Sequence, residues 1–215
     1  EYIEMLEANQ VDGIISGSHN LGIEDYNRVT APIIAFDRNL SPEIPVVSSD
    51  NYAGGILAAE TLVKTGVQNI IMITGNDNSN SPTGLRHAGF ASVLPDASII
   101  NVSSDFSPIR KEMEIKQILI HQKPDAIFAS DDLTAILIMK VAKELEIPVP
   151  QQLKVIGYDG TQFVQTYIPE LTTIQQPIKE IAVLTVDLLL QKIDGQTVAT
   201  TGYFLPVSLH SGNSI

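Results

Sequence analysis

The 215-residue chain has no cysteine, which excludes disulfides, thiol catalysis and cysteine-built zinc sites. Positive charge is scarce: 13 Lys and Arg stand against 25 Asp and Glu, a net charge of −12. Such a surface repels phosphate backbones, so these residues are not expected to bind nucleic acid by themselves. A small neutral ligand or a protein partner suits them better. No apolar run approaches the ~20 residues of a membrane span, and no membrane partner is expected. The phosphate-cradling and nucleophile-elbow motifs G-x-x-x-x-G-K-[ST], G-x-G-x-x-G and G-x-S-x-G are all missing, so neither a cofactor nor catalysis is expected. His19, His87, His121 and His210 are scattered without ligand spacing, which favours surface residues over a metal site.

What the chain does have is a core-forming composition, 44% hydrophobic and 18% charged, in a steady rhythm. Short apolar runs at Val11–Gly17, Pro32–Arg38, Asn69–Thr74, Ile99–Val102, Pro124–Ala129 and Val155–Gly157 read as strands. Helical patterns fall between them at Ile23–Val29, Tyr52–Lys64, Arg86–Leu94, Arg110–His121 and Leu133–Leu145. Val46 and Val47 form a short strand, and Asp50 or Asn51 caps the helix after it. Glu1–Gln10 reads as the end of an amphipathic helix. Alternating strands and helices predict an α/β fold with mostly parallel sheets covered on both faces. After Asp159 the rhythm changes: an extended Tyr167–Gln176, one helix over Ile178–Ile193, a strand over Tyr203–Val207 and a polar tail.

Polar groups collect where the strands end. Ser16–Asn20, Asp37 with Arg38, the loop before Arg86, Phe106, Asp131 with Asp132, Asp159 and Gln176 all fall just past apolar runs. In open α/β sheets ligands bind beyond the carboxyl ends of the strands. Carboxylates accept from hydroxyls, and guanidinium and amide groups donate paired bonds, so this set suits a polyol or sugar. Phe106 would lie flat against a sugar ring, or be a core aromatic. Adjacent carboxylates on an extended segment point opposite ways, so of Asp131 and Asp132 one is expected to face the ligand and the other to cap the next helix.

An ordered set of motifs then carries a resemblance: Val11-Asp12-Gly13-Ile14-Ile15, Phe36-Asp37-Arg38, Ser49-Asp50-Asn51 with Gly54-Gly55, Arg86 with Gly89-Phe90, Pro124 to Ala129, Val155-Ile156-Gly157-Tyr158-Asp159, and Leu171 to Pro177. Together, from Gln10 to Val207, they resemble the effector domain of LacI/GalR-type transcription regulators, with the nearest likeness to the repressors of sucrose operons. The resemblance implies two Rossmann-like subdomains of periplasmic-binding-protein type joined by three crossing segments, with a sugar held between them. The expected subdomains are 1–49 with 176–204, and 50–175 with 205–215. It implies Asp37, Arg38, Arg86, Phe106, Asp131, Asp159 and Gln176 as sugar-binding residues. It also implies a cytoplasmic homodimer that meets operator DNA through a helix-turn-helix preceding these residues, and a first subdomain lacking its first two strands here.

The expected function is therefore sugar sensing and dimerisation in a repressor. The rival is an extracytoplasmic sugar-binding protein serving a transporter or chemoreceptor, which shares the fold. Few cations surround the expected site, so a neutral sugar of the sucrose or fructose type is favoured over a phosphorylated one. Asp159→Ala and Arg86→Ala are expected to abolish the response while leaving the fold intact.

Overall fold

A computed structural model describes residues 2–17, 26, 29–75, 81–199 and 202–215. The chain divides into two compact units, Glu1–Asp50 with Pro177–Pro206, and Asn51–Gln176 with Val207–Ile215. The expectations for residues 18–20, for most of the helix Ile23–Val29 and for residues 76–80 lie outside the described residues.

The first unit carries a sheet of four parallel strands, β1 (Ile14–Ser16), β2 (Ile33–Phe36), β3 (Val46–Ser49) and β9 (Tyr203–Leu205), in the order β1-β2-β3-β9. Alternation decides what each face buries. Ile33, Ala35 and Val46 face one way, onto Leu40, Ile44 and the apolar side of α1 (Tyr2–Ala8). Ile34 and Val47 face the other way, onto Ile181 and Leu188 of α7 (Ile178–Ile193). Gly13 lies so close to α7 that a Cβ there would meet Leu189 and Ile193.

The second unit is built on six strands: β4 (Ile70–Thr74), β5 (Ser98–Asn101), β6 (Ala126–Ala129), β7 (Lys154–Asp159), β8 (Thr172–Gln175) and β10 (Ser208–His210). They form one sheet in the order β10-β8-β7-β6-β4-β5. All run parallel except β10, which is antiparallel to β8. Ile70, Met72, Ala126, Phe128, Ile156 and Tyr158 form one face with α2 (Asn51–Val63) and α3 (Pro82–Val93). Ile71, Ile73, Ile127, Ala129 and Val155 form the other with α4 (Pro108–Gln122), α5 (Asp132–Glu144) and Val164 of α6 (Gln162–Tyr167).

Three local features depart from the reading of the sequence. The helix expected from Arg86 begins four residues earlier, because the Ser81 side chain accepts from the Gly84 N–H and Pro82 supplies the first-turn geometry. Between Asp159 and the extended Tyr167–Gln176, where no element was expected, lies the short helix α6, capped by Thr161. The strand expected over Tyr203–Val207 ends at Leu205 as β9, and the tail after Pro206 supplies a further strand, β10, to the other sheet. The polar tail is not loose: Ser214 is buried, accepting from Thr172 N and donating to Val155 O.

Candidate functional site

The sheet of the second unit grows in two directions from β4, with β5 on one side and β6, β7 and β8 on the other. The strand order reverses between β4 and β6, and that is where an open parallel sheet leaves a crevice at its carboxyl edge. The groups gathered at this edge come from the helix after β4 (Arg86), the end of β6 (Ser130 to Asp132), the end of β7 (Tyr158, Asp159) and the end of β8 (Gln176).

Arg86 is buried and tightly held. Its Nε donates to Asn51 Oδ1 at 2.8 Å and its Nη1 to the Ser130 carbonyl at 2.6 Å. The guanidinium lies over the Tyr158 ring, 3.7 Å from its centroid. Gly54 leaves the space that the Tyr158 hydroxyl fills, and Gly55 and Gly89 let α2 and α3 meet backbone to backbone, a Cβ on either overlapping the carbonyl of Arg86 or Tyr52. This close helix pair is what presents Arg86 to the sheet edge.

Asp159 ends β7 with φ 125°, a strained conformation for a residue with a side chain. Its Oδ1 accepts from Gln176 Nε2 at 2.7 Å, and the Gln176 N–H donates to the Asp159 carbonyl at 3.0 Å. Arg86 Nη2 stands 3.7 Å from the same Oδ1. Asp159 Oδ2 has no hydrogen-bond partner among the described residues, which leaves an acceptor for a ligand hydroxyl. Burial pushes the Asp159 carboxyl up to about 6; the Arg86 charge and the Gln176 bond pull it down, and the Asp132 and Asp131 charges push it up.

The pair Asp131-Asp132 divides its work. Asp131 is the helix cap: its Oδ1 accepts from Thr134 N and its Oδ2 from Thr134 Oγ1, both at 2.8 Å. The inward carboxylate is Asp132, 3% exposed, which accepts from Thr173 Oγ1 at 2.6 Å and from Gly160 N at 2.8 Å. A helix start needs an acceptor at its cap position, and the first of two adjacent aspartates takes it. Burial likewise raises Asp132 to about 6, against the Thr173 and Gly160 bonds.

Phe106 is half-buried against the core of the second unit, and the Arg110 guanidinium lies 3.6 Å from its ring centroid. One face of the ring is therefore covered by a cation. In the first unit, Asp37 follows β2 in a left-handed conformation, φ 61°, with its Oδ1 accepting from Ser48 Oγ at 3.3 Å. Arg38 Nε is buried with no hydrogen-bond partner among the described residues. No group of three or more metal-ligating side chains occurs among the described residues.

The structure thus brings Arg86, Asp159 and Gln176 together, places Asp131 in a cap and packs Phe106 under Arg110. Sequence reasoning missed Asn51, the Ser130 carbonyl and Tyr158 as the partners of Arg86, and Thr173 as the partner of Asp132. All four residues lie within or beside stretches that carry the resemblance, but nothing in those stretches named them as partners. No helix among the described residues is long and apolar enough to cross a membrane.

Comparison with known proteins places this arrangement. Residues 59–215 match the periplasmic binding protein-like domain family. A sucrose operon repressor of Streptococcus mutans is 64% identical over the whole of this chain, which spans 67% of that relative's length. A periplasmic binding protein/LacI transcriptional regulator from Alkaliphilus metalliredigens, solved in complex with D-xylulofuranose, superposes with a TM-score of 0.86 at 29% identity over 100% of this chain and 82% of its own. The lac repressor dimer bound to operator and the anti-inducer ONPF gives 0.82 at 28% identity, over 99% of this chain and 76% of its own. The chain belongs to the periplasmic binding protein-like domain family, in the branch formed by LacI/GalR-type transcription regulators.

Proposed function

We propose that this chain is the effector-binding and dimerisation part of a sucrose-operon-type repressor, and that a neutral sugar of the sucrose or fructose kind is its effector. The observation that carries the reading is the free acceptor of Asp159, held in place by Gln176 beside the buried Arg86. A carboxylate oxygen with a guanidinium alongside accepts from one hydroxyl of a vicinal pair while the cation donates to the other. The surroundings favour a neutral ligand, because Asp131, Asp132 and Asp159 outnumber Arg86 and a phosphate would meet net negative charge. Asp37 and Arg38 are kept as ligand residues of the first unit, offering a carboxylate and an unpaired guanidinium nitrogen. An extracytoplasmic receptor is disfavoured by the identity to an operon repressor. With that relative go a non-enzymatic role and a cytoplasmic location.

A sugar that binds one state of the repressor better than the other shifts operator affinity, with a coupling of typically ~1–3 kcal/mol. With its net charge of −12 this segment is not the DNA-contacting part. That role is proposed for the remaining third of the relatives' length.

A dimer is proposed through the second unit. Ile109 and Met113 on α4, Leu133 at the start of α5, and Phe163 and Tyr167 on α6 are 63–76% exposed. All three helices lie on one face of the sheet, α4 and α5 joined by the Lys140–Glu112 ion pair at 2.7 Å, and the Phe163 and Tyr167 rings are 4.8 Å apart. An apolar patch of this kind calls for a partner, and a second copy fits a family whose lac repressor forms a dimer.

Isothermal titration of the chain with sucrose, fructose and sucrose 6-phosphate, repeated with Asp159→Ala, tests the reading. Saturable heat with sucrose or fructose that disappears in the variant is expected. Binding of the phosphorylated sugar alone overturns the neutral-effector part, and no binding of any of the three overturns the effector assignment.

A further inference from the structure

Asp132 is a buried carboxylate for which neither helix capping nor ligand contact accounts. Asp131 already caps α5 through both of its oxygens. Asp132 is 3% exposed, yet both of its oxygens are engaged by groups from two neighbouring strands: Gly160 N–H just after β7, and Thr173 Oγ1 within β8. The space it occupies is reserved for it. Gly157, in the middle of β7, has no side chain where Asp132 Oδ1 sits, and a Cβ there would overlap that oxygen.

The group that Asp132 grips is the turn carrying Asp159. Asp159 and Gly160 have φ of 125° and 58°, two consecutive residues in conformations that L-amino acids with side chains disfavour. Gly160 is also pressed against Gln175, so that a Cβ would come within 2.6 Å of the Gln175 Cα. A turn of this kind persists only where its surroundings over-determine it. Three bonds do so here: Gln176 N–H to the Asp159 carbonyl at 3.0 Å, Gln165 Nε2 to the Gly160 carbonyl at 2.8 Å, and Gly160 N–H to Asp132 Oδ2 at 2.8 Å.

We infer that Asp132 is the positioning residue for Asp159: by bridging Gly160 N–H and Thr173 Oγ–H it holds the left-handed Asp159–Gly160 turn and so sets where the Asp159 carboxylate points. The charged groups that face Asp132 are Asp131 on its own helix, Arg86 from α3 and Asp159 from β7. Only one of these three is a cation, so the bridge is built from a group that is costly to keep ionised. An amide in its place retains the geometry: in Asp132→Asn the new amide oxygen accepts from Gly160, and the new NH2 donates to Thr173, whose hydroxyl can serve as acceptor.

The inference rests on the proposal that Asp159 takes the effector, and its test separates the two. The intact chain, Asp132→Ala and Asp132→Asn are compared by amide hydrogen exchange, by 13C detection of the Asp159 carboxyl titration, and by calorimetry with sucrose. In Asp132→Ala the Gly160 amide is expected to exchange roughly tenfold faster or more, with sucrose affinity down by a similar factor, while the β4 and β6 amides keep their protection. Asp132→Asn is expected to restore Gly160 protection and most of the affinity, and to lower the Asp159 titration midpoint because a like charge has gone. A Gly160 amide equally protected in Asp132→Ala overturns the inference. If Asp132→Ala does not fold, Asp132→Asn decides: unprotected Gly160 or an unmoved Asp159 midpoint overturns it. If the intact chain binds no sucrose, the effector proposal fails while the exchange and titration results still judge Asp132.

Discussion

Arg86 and Asp159 stand side by side without a close hydrogen bond: Nη2 is 3.7 Å from Oδ1, while Gln176 Nε2 takes that oxygen at 2.7 Å. The arginine's shorter bonds, at 2.8 and 2.6 Å, go to Asn51 and the Ser130 carbonyl, and Tyr158 lies beneath its plane. Arg86 therefore ties α2, α3, β6 and β7 together before it meets any ligand.

That relationship revises the expectation that Arg86→Ala spares the fold. Removing the guanidinium takes a donor from Asn51 Oδ1 and from the Ser130 carbonyl, and the neighbouring cation from the part-buried Asp159. Arg86→Ala is expected to lower stability by about 3 kcal/mol, and Arg86→Lys to recover little, since an ammonium cannot reproduce the planar fork over Tyr158. Urea denaturation measures both; a fully stable Arg86→Ala that has merely lost sugar binding would show the arginine to be a ligand group only.

Asp132 and Asp159 make stability depend on pH, with a sign opposite to that of a salt-bridged carboxylate. Both carboxyls are raised from 3.8 to about 6, so the folded state holds their protons more tightly than the unfolded chain does. Between about pH 4 and pH 6 the folded state binds the extra protons. The contribution is full below pH 4, is lost as pH rises to 6, and changes no further above it. For the buried Asp132 this is on the order of 2 kcal/mol, and it is smaller for Asp159, which solvent partly screens. Asp132→Asn is expected to flatten the profile and to raise stability at pH 7.5 by about 1 kcal/mol. Denaturation midpoints from pH 4 to 8 read this directly, and a profile that rises with pH in both proteins contradicts it.

Gly55 and Gly89 are expected to resist substitution more strongly than Gly66. A Cβ on either of the first two overlaps the backbone of the facing helix, which cannot rotate away, whereas Gly66 ends its helix with φ 77° in open space. Gly55→Ala and Gly89→Ala are expected to cost at least about 2 kcal/mol each, and Gly66→Ala about 1 kcal/mol from its left-handed conformation alone. Comparable losses at all three in thermal melts would refute the close-packed α2–α3 pair.

The exposed residues of α4, α5 and α6 predict the oligomeric state. Leu133→Asp with Tyr167→Asp is expected to turn a dimer into a monomer in sedimentation velocity while leaving the unit folded, because both side chains are exposed in the single chain. A wild-type chain that sediments as a monomer at tens of micromolar would contradict the proposed interface.

The sequence by itself determined the α/β architecture, because apolar runs buried on both faces and the helices between them are local patterns with their own periods. It also determined that strand ends would carry the polar groups, since charge cannot sit inside those runs. The tertiary structure decided which of those groups meet. Asp131 and Asp132 are indistinguishable as letters; the cap of α5 claims one, and the gap left by Gly157 receives the other. The expected polar tail supplied a strand, because residues either side of Pro206 pair with different sheets. Arg86 was expected at the site, but its bonds to Asn51 and the Ser130 carbonyl come from segments 35 and 44 positions away. Hydrogen-bond partners across such distances are set by packing, which no window of sequence contains.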